Sequence, residues 1–113
     1  MKNKLILIIL LIFSTSTLKA ELNQKKIDYC DAMKGLAELV MTNRQAGVDP
    51  LEVLEEALKV KDSVKDVYIL FIIRAYREYF VFEKYGEKQL MINKFGNDVY
   101  NNCLNGVNRI KNN

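Results

Sequence analysis

Apolar residues recur every three or four positions along most of the chain, the repeat of one face of an α-helix. Between Leu22 and Ala46 they fall at Ile27, Cys30, Met33, Ala37, Val40 and Met41, which predicts a first helix. Gly47 then supplies the left-handed position at which helices commonly end. Gly35 lies inside this helix, where glycine costs up to about 1 kcal/mol relative to alanine, so close helix packing is expected there. The next segment, G-V-D-P-L-E-V-L (Gly47 to Leu54), carries the sharpest local pattern. Asp49 reads as an N-cap, Pro50 as the first helical residue, and Glu52 as the acidic third residue of a capping box. Val48 and Val53 stand where a hydrophobic staple would hold the entry. The second helix is predicted from Pro50 to about Lys61, with Leu51, Leu54, Ala57 and Leu58 inward and Glu52, Glu55, Glu56 and Lys59 outward.

The stretch from Val64 to Tyr85 is the most apolar after the N-terminus and carries Tyr68, Phe71, Tyr76, Tyr79, Phe80, Phe82 and Tyr85. It predicts a central core helix, capped by Asp62 or Ser63 and stopped at Gly86. Val67 to Ile73 also suits a buried strand, but the apolar pattern continues through Phe82 without Gly or Pro, and that length favours a helix. Arg74, Arg77, Glu78, Glu83 and Lys84 mark its wet face, with Arg74 and Glu78 spaced to pair. A fourth helix is predicted from about Glu87 to Asn105, turning Ile92, Phe95, Val99 and Cys103 inward, with Gly96 as an internal weak point. The Asn-rich segment 105–113 is expected to fray. The fold class that follows is all-α: a small four-helix (or five-helix) bundle.

The N-terminus changes this picture. Lys2 and Lys4, the apolar run Leu5 to Phe13 and a polar stretch ending at Ala20 have the layout of a cleaved secretory signal peptide. The run is far shorter than the roughly 20 residues that span a bilayer, so no stable membrane anchor is expected after cleavage. The expected division is 1–20 signal peptide and 21–113 a single helical domain, periplasmic or secreted. Of the 17 basic residues, Lys2, Lys4 and Lys19 belong to the signal, which leaves 14 against 14 acidic. A neutral domain offers no general attraction to phosphate, and nucleic acid is not an expected partner. Cys30 and Cys103, an even pair in an exported chain, are expected to form one disulfide that ties the first helix to the last.

The chemistry available is narrow. The chain has no histidine, the usual general base and nitrogen metal ligand. Ser63 is the only serine beyond Ala20 and stands at a helix start. No phosphate-binding glycine loop occurs, and the carboxylates of the second helix lack the alternation of an EF-hand. No enzymatic activity, cofactor or metal is expected. The candidate interaction surface is the stripe Arg74, Tyr76, Arg77 and Tyr79, residue types that anchor protein interfaces, against the alternative that the rings are buried while the arginines reach outward.

Cys30 early in the first helix, the segment N-R-Q-A-G (Asn43 to Gly47) at its end and Tyr100-x-x-Cys103 near the terminus resemble small exported bacterial helical proteins with one disulfide. In size, export and helix content the chain also resembles helical periplasmic immunity proteins of the Rap1a/Tai type. That resemblance implies a protein partner, a toxin, and no catalysis; it assigns no contact residue and no oligomeric state. The functional expectation is a non-enzymatic, exported protein-binding module. The alternative is a periplasmic acid-stress chaperone, whose switch would rest on carboxylates titrating near about pH 4 to 5.

Overall fold

The computed structural model describes the backbone of residues 2–112 and the side chains of residues 17–106. The chain is all-α: α1 spans Lys2–Gln45, α2 Pro50–Leu58, α3 Asp62–Glu78 and α4 Tyr85–Asn112. The expected signal segment and frayed tail fall largely outside the described side chains. Among the described residues no helix is long and apolar enough to cross a membrane.

The central helix is α1, which packs against each of the other three. Its main partner is α4, and the pair runs antiparallel in one register. Cys30 is bonded to Cys103 with Cα atoms 5.6 Å apart, Lys34 lies 5.9 Å from the Tyr100 ring, and the Lys88 ammonium donates to the Gln45 carbonyl. The disulfide closes a loop of 73 residues, worth about 4 kcal/mol by chain entropy. Gly96 fits this seam: a Cβ there would stand 2.6 Å from Glu38 Cγ. This glycine is therefore a point of close approach rather than a weak point. Gly35 behaves in the opposite way, being exposed with nothing within 4 Å of a Cβ, so packing does not account for it.

The α1–α2 connection has the expected glycine closure and Asp49 cap, but Asp49 bonds the Leu51 amide and Glu52 does not complete a capping box. Gly47 has φ 76°, and the Val48 and Gly47 amides donate to the Asn43 and Arg44 carbonyls at 3.0 and 3.1 Å. This is a Schellman closure. Asp49 caps α2, accepting from the Leu51 amide at 2.8 Å, with Pro50 in the first turn. Val48 and Val53 both join the core.

Four expectations need correction. The inner face of α2 is Val53 and Ala57 with Leu54 behind them, while Leu51 and Leu58 are exposed; i,i+4 spacing aligns 53 with 57, whereas the seven-residue pair 51 and 58 shares the outer face. The N-cap of α3 is Lys61, whose carbonyl takes the Val64 and Lys65 amides, and no side-chain cap bond is made there. Ile27 is 38% exposed rather than core. The Val64–Tyr85 stretch is not one helix. It ends as a helix at Glu78, turns extended at Tyr79 (φ −121°, ψ 137°), and Tyr85 and Gly86 open α4.

The core contains Met33, Ala37, Val40 and Met41 from α1, Phe71, Ile72 and Ala75 from α3, and Ile92, Phe95 and Val99 from α4. Phe95 is fully buried and meets Phe71 and Tyr79 edge-on at 6.0 and 5.3 Å.

Gly35 within α1 and Gly47 just beyond its end should respond to alanine in opposite directions. Gly35→Ala removes a helix-interior glycine without a steric conflict and should raise stability by about 0.5–1 kcal/mol, or Tm by roughly 2–8 °C. Gly47→Ala forces a left-handed alanine and should cost about 1 kcal/mol or more. Thermal melts followed by circular dichroism read both.

Candidate functional site

The end of α1 does unusual work. Arg44 and Gln45 lie one turn before Gly47, on the side that faces residues 79–84. Arg44 donates from both Nε and Nη2 to the Tyr79 carbonyl, at 3.2 and 3.1 Å. Gln45 is buried; its Nε2 donates to the Phe80 carbonyl at 2.6 Å, and its Oε1 accepts the Phe82 amide at 3.0 Å. An amide side chain thus pairs with the extended segment at two points, as a neighbouring strand would. Those two contacts satisfy polar backbone groups that would otherwise cost about 1–3 kcal/mol each if buried unpaired.

This pinning fixes which side chains face inward. Tyr79 is half-buried and packs on Phe95, whereas Phe80 is turned out and is 79% exposed. Val81 beside it is exposed as well. Tyr85 lies on the same stripe of α4 as Ile92, one heptad earlier, but α1 has already ended opposite it. Tyr85 is consequently 75% exposed, and it edges a shallow cleft of about 270 Å³ with Thr42, Gln45, Lys88 and Ile92. Gln45 therefore adjoins both exposed rings: it bonds the backbone of Phe80 and shares the cleft with Tyr85. The exposed side chains Phe80, Val81 and Tyr85 make an aromatic ledge, whose backbone at 79, 80 and 82 is held by Arg44 and Gln45.

The sequence-derived stripe is divided by this arrangement. Tyr76 is half-buried, donates its hydroxyl to the Val48 carbonyl at 2.7 Å, and carries the Arg44 guanidinium 5.0 Å above its ring. Arg74 lies 5.4 Å from the Phe95 ring and reaches Glu78 only at 3.8 Å. Arg77 is the member of the set that is exposed. Phe80 and Tyr85 were expected in the core. No local feature marks them as outward, because the residues that turn the segment out stand 35 positions earlier in the chain.

Three tyrosines hold their protons more tightly than usual. Burial raises the Tyr68, Tyr76 and Tyr79 hydroxyls above their ordinary value of 10.0, with smaller additions from Glu56 at Tyr68, from Asp49 and Glu52 at Tyr76, and from Asp98 and Glu78 at Tyr79. Arg44 and Arg74 oppose the rise at Tyr76 and Tyr79. Among the described residues no cluster of three or more acidic or cysteine side chains could hold a metal. No family model matches the chain, and no curated protein or solved structure matches it either.

Gln45→Ala should cost about 1–3 kcal/mol and strip the Phe82 amide of its hydrogen-exchange protection while the α1 amides keep theirs. For the tyrosines, the folded state favours the protonated form. Their contribution is therefore complete below about pH 10 and lost as pH rises through the raised values. Urea midpoints should fall steeply in that range, and Tyr68→Phe should flatten the fall.

Proposed function

We propose that the protein is a non-enzymatic protein-binding module whose docking surface is the ledge of Phe80, Val81 and Tyr85. The observation that carries this reading is a nearly fully exposed phenylalanine on a backbone fixed by four side-chain hydrogen bonds from Arg44 and Gln45. Exposing a large aromatic ring forgoes about 1.5–3 kcal/mol of burial, and a backbone already fixed loses little further entropy when a partner covers it. Aromatic anchors of this kind supply most of the affinity in protein interfaces. Arg77, exposed in the last turn of α3, adds a cation three positions before Phe80 in the chain.

The signal-like layout of residues 1–20 supports action in the periplasm or outside the cell. Neutralising a toxin delivered there is the most concrete form of the reading. A photo-reactive phenylalanine analogue placed at position 80 should crosslink one protein in cells of the source organism. The same analogue at Leu70, exposed on α3, should not. Phe80→Asp should abolish the crosslinked complex, probed from a second reactive position at Tyr85, with Tm nearly unchanged. Equal crosslinking from 70 and 80, or a large loss of stability in Phe80→Asp, would overturn the proposal.

A further inference from the structure

A second site lies away from the ledge, beside the disulfide. Among the described residues α3 and α4 do not approach within 8 Å, Cα to Cα; they meet through Phe71, Arg74 and Tyr79 against Phe95. The gap between them is floored by α1 and forms a groove of about 270 Å³. Its walls are Met33, Val67, Phe71 and Val99, with the Cys103 sulfur at one side. The first, third and fourth of these are nearly sealed on their inner sides, at 8, 5 and 5% exposure. Three polar residues also line this largely apolar slot: Arg74, Tyr29 and Asn102.

Arg74 gives the groove its chemical sense. It is the one cation among the groove's lining residues. Its ion pair with Glu78 is long, 3.8 Å through Nε alone, so the guanidinium keeps donors for another acceptor. The side chain is 30% exposed and lies over the Phe95 ring, which holds the fork in place while a charge-assisted bond forms. Apolar walls ended by a single arginine match an apolar chain ended by a single carboxylate. The small volume restricts that chain to a short or medium length.

We propose that the groove between α3 and α4 binds a small amphiphilic carboxylate, such as a medium-chain fatty acid, with its chain against Val67, Phe71 and Val99 and its carboxylate on Arg74. Binding exchanges the loose Glu78 contact for a shorter one to the ligand. Glu78 is therefore a competitor for Arg74, and its removal favours the ligand.

Calorimetric titration of the full chain with octanoate, 1-octanol and octylammonium tests this. Octanoate should bind with one-to-one stoichiometry, octanol more weakly, and octylammonium weakest. Arg74→Gln should weaken octanoate about tenfold or more, the loss expected for one charge-assisted hydrogen bond, and leave octanol unchanged. Glu78→Gln should tighten octanoate several-fold. Val67→Phe should block both octanoate and octanol. The run Leu5 to Phe13 is itself apolar, so octanoate affinity that is indifferent to Arg74 and Glu78 would assign binding elsewhere and overturn the proposal. Equal affinity for octanoate and octylammonium would overturn it too. Arg74 and Glu78 are partly exposed, and their variants should fold even where Val67→Phe does not.

Discussion

The antiparallel seam between α1 and α4 sets the position of everything else in the molecule. It is fixed at one end by the Cys30–Cys103 bond, in the middle by the close approach of Gly96 to Glu38, and at the far end by Lys88 on the Gln45 carbonyl. A slip by one residue would rotate α4 by roughly a quarter turn and carry Phe95 out of the core. Since Phe95 is the ring on which Phe71, Arg74 and Tyr79 converge, α3 depends on that register although its backbone does not touch α4. The Lys88 contact also places a cation at the C-terminus of α1, where the helix dipole and unpaired carbonyls favour one.

Much of this was legible in the residues, and the limits have a physical cause. Asp49, Pro50 and Gly47 act through bonds to residues within a few positions, so their types and spacing predict a turn that the structure contains. The disulfide followed from an even cysteine count and from its placement on the first and last helices. What failed was the assignment of faces. Leu51 and Leu58 outrank Val53 and Ala57 in hydrophobicity, yet α2 turns the smaller pair inward, because the side chains that fit against α3 decide the rotation. The break after Glu78 was invisible for a related reason. Tyr79 to Phe82 have the composition of a buried helix, whereas their backbone leaves the helix and bonds to the Arg44 and Gln45 side chains.

The candidate site shares that history. Arg74, Tyr76, Arg77 and Tyr79 resemble one another in residue type, and the structure gives them different employments. Tyr76 and Tyr79 tie α3 to the α1–α2 turn and to α4, Arg74 edges the groove, and Arg77 faces solvent. The two most exposed aromatics among the described residues lie further along, at Phe80 and Tyr85. The segment N-R-Q-A-G acquires a structural meaning in the process, since its Arg and Gln bond the α3–α4 connection while its Gly lets α1 end.

Joining the first helix to the last has a consequence for how the chain comes to be folded. The bonded cysteines are 73 positions apart, so α1 emerges during synthesis long before its principal partner exists. Until α4 arrives, the apolar face of α1 has only α2 and α3 to lean on, and contacts of such long range form slowly. Oxidation of Cys30 can be productive only once the far end of the domain is present. The last quarter of the chain is thus the step that completes the fold, and a truncation there would leave an open, sticky intermediate rather than a smaller version of the same protein.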